Sequence, residues 1–163
     1  MAIIIDATAL ILLAKVSVLE TFVSRNDIFT SEEVYSEVIL GKDKGRFDSI
    51  VVDKLVQEKK IKIKTSDMVI KRKINNLFNL KGGELEVVSM AYKTGDFVLS
   101  DDRKCIRVAK ALGVCFITSL DVITVLYKKK IITKQKAFNC ISDLEKYGWY
   151  AKDIIKSYME VVK

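Results

Sequence analysis

Residues 2–15 read Ala2-Ile3-Ile4-Ile5-Asp6-Ala7-Thr8-Ala9-Leu10-Ile11-Leu12-Leu13-Ala14-Lys15, and this stretch decides the fold class. Residues 2–5 form a short apolar run dominated by β-branched side chains, with no polar alternation. That pattern is expected of a strand buried on both faces, as in a parallel sheet. Asp6 closes the run, and residues 7–15 are good helix sequence. A buried strand that passes directly into a helix is the first half of a β-α-β unit.

Working outward, three more segments read as strands. Residues 60–64 alternate Lys-Ile-Lys-Ile-Lys, and 97–100 and 114–117 are short apolar runs. Helices are expected between them. One is an amphipathic segment at 18–23. A second begins at Thr30, whose spacing to Glu33 is that of a capping box. A third covers 46–58, with Phe47, Ile50, Val51, Leu55 and Val56 at helical period. A fourth covers 67–80 and is broken by Gly82-Gly83. The next starts at Glu84, reaches about residue 93 and is stopped by Gly95. After the strand at 97–100 comes a helix at 102–112, and after that at 114–117 come helices at 119–128, 133–147 and 150–162. Gly148 is the expected C-cap between the last two. Strands alternating with helices predict an α/β domain with a parallel sheet covered on both faces.

A length of 163 residues with 50% hydrophobic content suits a single core. No apolar run approaches the ~20 residues of a membrane span, and the early Asp6 and Lys15 argue against a signal peptide. Cys105, Cys115 and Cys140 lack C-x-x-C spacing, so neither a disulfide framework nor a zinc site is expected, and a reducing cytoplasm is. The chain has no histidine and no proline. That excludes His general-base catalysis, Ser-His-Asp and Cys-His triads, and His-ligated zinc. Any catalysis must rest on carboxylates, lysines, hydroxyls or a hard metal ion. The formal charge is +7, from 28 bases and 21 acids, which suits either a polyanionic partner such as nucleic acid or a lysine-rich surface.

Parallel α/β sheets place ligands beyond the carboxyl ends of their strands, near a reversal of strand order. Asp6 sits at one such end, and Asp101 and Asp102 sit at another. Glu84 shares a helix face with Val87, Val88 and Ala91, and Glu37 lies beside Val34 and Val38. Glu86 faces elsewhere. If Asp6, Glu37, Glu84 and the Asp101-Asp102 pair converge, their repulsion calls for a cation. An all-oxygen set suits Mg²⁺ or Mn²⁺. Without those five acids the chain carries 28 bases against 16 acids, so an acidic pocket would lie in a basic protein, an arrangement suited to attack on a phosphodiester. Each acid also has a plain structural reading: Asp6 and Asp102 as helix N-caps, Glu84 as a dipole partner, Glu37 and Asp101 as solvated side chains. No P-loop or dinucleotide-binding spacing occurs. The basic runs 71–73 and 128–130 read as solvated faces or phosphate contacts.

Four motifs together resemble those of PIN-domain proteins: Ile3-Ile4-Ile5-Asp6-Ala7-Thr8, Val34-Tyr35-Ser36-Glu37-Val38, Gly83-Glu84-Leu85-Glu86 and Val98-Leu99-Ser100-Asp101-Asp102-Arg103. The resemblance covers about residues 2–120 and is to a prokaryotic, largely archaeal PIN-like branch with a helical C-terminal extension. It implies a Rossmann-like three-layer α/β/α fold with a central parallel sheet of about four to five strands, plus C-terminal helices. It also implies Mg²⁺- or Mn²⁺-dependent ribonuclease activity, often as the toxin of a toxin–antitoxin pair, and a homodimer. By position, Asp6, Glu37, Glu84 and one of Asp101 and Asp102 match the four family acids, and Thr8 and Ser100 match supporting hydroxyls. Glu84 stands where many toxins have aspartate. Of the aspartate pair, Asp102 is the expected ligand and Asp101 a secondary contact.

The resulting expectation is a PIN-like domain at 1–120 with a helical extension at 121–163 packed on it. The extension carries apolar residues such as Ile123, Val125, Phe138, Ile141, Leu144, Trp149 and Ile154, which are expected to be buried. The expected function is a metal-dependent endoribonuclease, of toxin type, acting on single-stranded or structured RNA. A nucleic-acid-binding or partner-regulated PIN-like protein without turnover is the alternative, and a small-molecule phosphohydrolase is the third.

Overall fold

The structure is a computed structural model that describes residues 1–40 and 45–163. In chain order its elements are β1 (Ile3–Ile5), α1 (Ala7–Lys15), α2 (Leu19–Val23), β2 (Ile28–Thr30), α3 (Glu32–Ile39), α4 (Phe47–Gln57), β3 (Ile61–Ile63), α5 (Met68–Phe78), α6 (Gly82–Thr94), β4 (Phe97–Leu99), α7 (Arg103–Ala111), β5 (Phe116–Ile117), α8 (Ser119–Lys128), α9 (Lys134–Tyr147) and α10 (Lys152–Val162).

The strands form one parallel sheet in the order β3-β2-β1-β4-β5. β1 lies at its centre. Ile3, Ile4 and Ile5 register with Phe97, Val98 and Leu99 on one side, and Ile3 and Ile4 with Ile28 and Phe29 on the other. The chain steps from β1 to β2 to β3 in one direction, then crosses to β4 and continues to β5 in the other. Right-handed crossovers place α1–α4 on one face and α5–α7 on the opposite face. The packing follows, with α1 against α3 and α4, and α6 against α5, α7, β1 and β4. This is the α/β sandwich expected, and its strand order reverses between β1 and β4.

The core forms between the layers. Ile5, Leu10, Leu13, Val87, Val88, Val98 and Leu99 are fully buried, and truncating any one of the large ones would cost roughly 2–5 kcal/mol. α6 is apolar around most of its circumference, as a central helix must be. It enters close to α3: a Cβ on Gly83 would lie 2.5 Å from Val34 Cγ2, so only glycine allows this approach.

β2 was not expected. Ile28–Thr30 is three residues long and has no period to read, yet all three are buried. Thr30 therefore ends a strand and caps nothing. Its hydroxyl donates to the Ile5 carbonyl at 2.9 Å, and Ser31 is the N-cap of α3, accepting from Val34 N at 3.1 Å. α6 begins at Gly82, two residues before the expected Glu84. Gly148 caps α9 in an extended conformation without entering the left-handed region. Of the basic run 71–73, Lys71 is ion-paired with Glu86 and is not a free solvated charge.

The helices after β5 pack on one another and on α1. Val122, Ile123, Leu126, Ile141, Leu144, Ile155 and Val162 are buried. The Cys140 thiol and the Lys136 ammonium both donate to the Val16 carbonyl, at 3.4 and 3.2 Å. Four residues expected to be buried are exposed: Val125, Phe138, Ile154 and Trp149, the last at 93%. Among the described residues no helix is long and apolar enough to cross a membrane.

Candidate active site

Asp6 follows the last residue of β1, where the Asp6 amide still donates to the Leu99 carbonyl at 3.1 Å. Its backbone is extended and its side chain caps α1. Oδ1 accepts from the Ala9 amide at 2.9 Å and the Thr8 hydroxyl at 2.8 Å. Oδ2 accepts from the Ser100 hydroxyl. Asp6 is 2% exposed. Burial raises its pKa from 3.8 to about 7; the three hydrogen bonds pull it back down, and the nearby Asp101 charge adds to the rise. The capping reading and the site reading therefore describe the same side chain. The cap holds the carboxylate rigid at the sheet edge.

Ser100 is fully buried and links the two strand ends. It donates to Asp6 and accepts from the Asp102 amide at 3.0 Å. Asp102 caps α7, accepting from Cys105 N through Oδ1 at 2.7 Å. Glu84, in the first turn of α6, is half-buried. Burial raises its pKa, followed by the charges of Asp102 and then Glu37, while Lys104 opposes. Glu37 itself is exposed on α3. Asp6, Glu84 and Asp102 also surround the buried Cys105 thiol, whose pKa burial and these acids push up. Cys105 is thus an inert thiol and no nucleophile.

Asp101 behaves differently from its neighbour. It accepts from Ser119 N at 3.0 Å, Ser119 Oγ at 2.5 Å and the Tyr150 hydroxyl at 2.5 Å. Burial raises its pKa, against those hydrogen bonds. Its own amide donates to Thr8 Oγ1 at 3.4 Å. Asp101 thus ties β4 to α8 and to the α9–α10 connection, and the donor Tyr150 is a phenol whose pKa is raised by burial and by Asp101. The Tyr158 hydroxyl likewise donates to Asp121 Oδ1, at 2.5 Å.

Asp6, Glu84 and Asp102 are therefore brought around one space at the switch between β1 and β4, with Glu37 at its outer edge. Thr8 and Ser100 support Asp6. Among the described residues, no three of the acids stand close enough to hold one ion as placed. The donors nonetheless fit a hard divalent cation: all are carboxylate oxygens, and the charges of Asp102 and Glu37 bear on Glu84 with only Lys104 opposing them. Sequence reasoning missed Ser119 and Tyr150, which lie 18 and 49 positions from Asp101. No local spacing announces either.

A PIN-domain family, DUF3368, matches residues 2–162. The chain belongs to this PIN-domain family. PIN domains are generally nucleases. Two solved structures share the PIN fold. PAE2754 from Pyrobaculum aerophilum is 15% identical, with a TM-score of 0.56, over 75% of this chain and 93% of that one. VapBC-1 from nontypeable Haemophilus influenzae is 18% identical, with a TM-score of 0.55, over 73% of this chain and 98% of that one. No curated protein matches the sequence.

Proposed function

We propose that this PIN-domain protein is a metal-dependent endoribonuclease of toxin type. The observation that carries the proposal is the gathering of Asp6, Glu84 and Asp102, with Glu37 beside them, at the point where the strand order reverses. Burial, and after it the charges of Asp102 and Glu37, raise the Glu84 pKa, which a bound cation would relieve. Asp6, Glu37, Glu84 and Asp102 would hold Mg²⁺ or Mn²⁺, with Asp101 as a secondary contact. The ion supplies a water of lowered pKa and charge stabilisation at phosphorus. The protein's own part is positional. The α1 cap, Thr8 and Ser100 hold Asp6. The α7 cap holds Asp102 through Oδ1. The basic remainder of the chain draws the RNA backbone in. Products with a 5′-phosphate and a 3′-hydroxyl are expected.

An antitoxin protein and a second copy of the chain are the proposed partners. The exposed Met68, Val69 and Leu77 of α5 offer apolar surface to either. The proposed division is a PIN domain at 1–120 with an extension at 121–163 packed on it.

The test is cleavage of a generic single-stranded RNA with and without Mn²⁺, compared with Asp6→Asn, Glu84→Gln and Asp102→Asn. Cleavage that needs the metal and all three acids supports the assignment, and metal-independent or mutation-insensitive cleavage overturns it. A non-catalytic, RNA-binding PIN protein is the second reading, favoured by the absence of three acids within reach of one ion among the described residues. RNA binding by the wild type with no turnover under any divalent metal would establish it.

A further inference from the structure

A cleft of about 470 Å³ opens beside the acids, with Asp102 and Thr8 at one end and Lys15, Arg103, Tyr147 and Trp149 along its walls. Its size falls within the ~300–1,000 Å³ typical of small-molecule sites. Trp149 is the only tryptophan of the chain and is 93% exposed, and the half-exposed Tyr147 lines the same cleft.

The segment presenting it is anchored on each side. Arg103 Nη2 donates to the Trp149 carbonyl at 3.1 Å, and the following Tyr150 is held by Asp101. The preceding Gly148 is required because a Cβ there would run into the Tyr150 ring. The indole is thus offered on a set backbone. Both cations of the cleft belong to its aromatic wall: Lys15 Nζ lies 5.2 Å from the centre of the Tyr147 ring, and Arg103 bonds the Trp149 backbone with one of its five N–H groups. An exposed ring flanked by cations is the arrangement that holds single-stranded nucleic acid, base on ring and phosphate on cation.

We propose that this cleft is a base-stacking subsite for single-stranded RNA, in which one nucleobase lies on Trp149 and the adjoining phosphates meet Lys15 and Arg103. Its position beside Asp102 places the stacked nucleotide next to the bond to be cut. The inference rests on the nuclease reading for its choice of ligand, but its test needs no cleavage.

Because Trp149 is alone, intrinsic tryptophan emission reports on this site only. In EDTA, a ten-residue oligouridylate is titrated against the full-length protein, following emission and, with labelled RNA, anisotropy. Saturable quenching is expected. Trp149→Ala should weaken binding about tenfold, the loss of one base–ring stack, and Trp149→Phe should restore most of it. An abasic chain of equal length should bind more weakly and quench nothing. Binding of the RNA without quenching, equal binding of the abasic chain, an unaffected Trp149→Ala variant, or no binding of the RNA at all would each overturn the subsite. The nuclease reading would stand or fall separately, on Mn²⁺-dependent cleavage.

Discussion

Replacing Asp6 with Asn should stabilise the metal-free protein at neutral and alkaline pH while abolishing cleavage. The pKa of Asp6 rises from 3.8 in the unfolded chain to about 7 in the fold, chiefly through burial. A carboxyl that is harder to ionise when folded contributes its full stability below pH 3.8. That contribution is lost as the pH climbs from about 4 to about 7, and beyond 7 the penalty is constant. At ~1.4 kcal/mol per pH unit, the interval amounts to about 4 kcal/mol. Asn keeps the cap on Ala9 N and offers its amide N–H groups to Ser100 Oγ, but carries no charge to bury. Urea denaturation of both proteins in EDTA, at several pH values from 4 to 8, gives the difference in stability directly. Titrating groups that do not interact with Asp6 cancel in that difference; Asp101, whose charge bears on Asp6, does not. The variant should gain on the wild type by up to about 4 kcal/mol across the range. Saturating Mn²⁺ should then stabilise the wild type and leave the variant unmoved. A stability difference that is flat with pH would refute the buried-charge reasoning. An Asn variant that still cleaves RNA would refute the catalytic role.

The two neighbouring aspartates should separate by assay. Asp102→Asn is expected to lower kcat/KM at least tenfold more than Asp101→Asn, about 1.4 kcal/mol of transition-state stabilisation, and the reverse order would transfer the ligand role to Asp101. Tyr150→Phe removes a hydroxyl from the partly buried Asp101 carboxylate and should lower unfolding stability by roughly 1.5–3 kcal/mol, read from denaturant midpoints; an unchanged midpoint would mean that the contact contributes nothing. Millimolar Mn²⁺ should raise the melting temperature of the wild type and do so less for Glu84→Gln, and equal shifts would remove Glu84 from the ion's surroundings. Truncation at Asp121 strips cover from α1 and the sheet edge and should give insoluble protein; a soluble, active truncation would show the C-terminal helices to be dispensable.

Much of the fold was legible because its elements are locally consistent. The apolar blocks at 2–5 and 97–100 agree with their burial, but the period at 46–58 gave the helix and not its buried face: Phe47 and Ile50 are exposed, while Asp48, Ser49, Val52 and Leu55 are buried. β2 was hidden because Ile28-Phe29-Thr30 becomes a strand only through its pairing with β1 and β3. Thr30 and Glu33 mimicked a cap one residue out of place. Strand order was out of reach too, since a right-handed crossover sets the face a helix covers but not the direction in which the chain steps. At the site, the acids that close strands could be picked out, for the chain turns there. Trp149 was misread because apolar character alone predicts burial, and the contacts of Arg103 and Tyr150 that hold its backbone outward are tertiary. The link from Asp101 to Ser119 and Tyr150 left no trace in spacing.

The hydrogen bond from Tyr150 to Asp101 also has a consequence in time. A polypeptide is made from its amino terminus, so every acid of the site is synthesised before the residue that completes the Asp101 network. The two partners are 49 positions apart. At ~5–20 residues per second that is an interval of roughly 2–10 s on the ribosome. Through that interval the nascent chain has Asp101 without its phenol partner and the cleft without its aromatic wall. The Asp101 network would thus close only once the connection between α9 and α10 has been made.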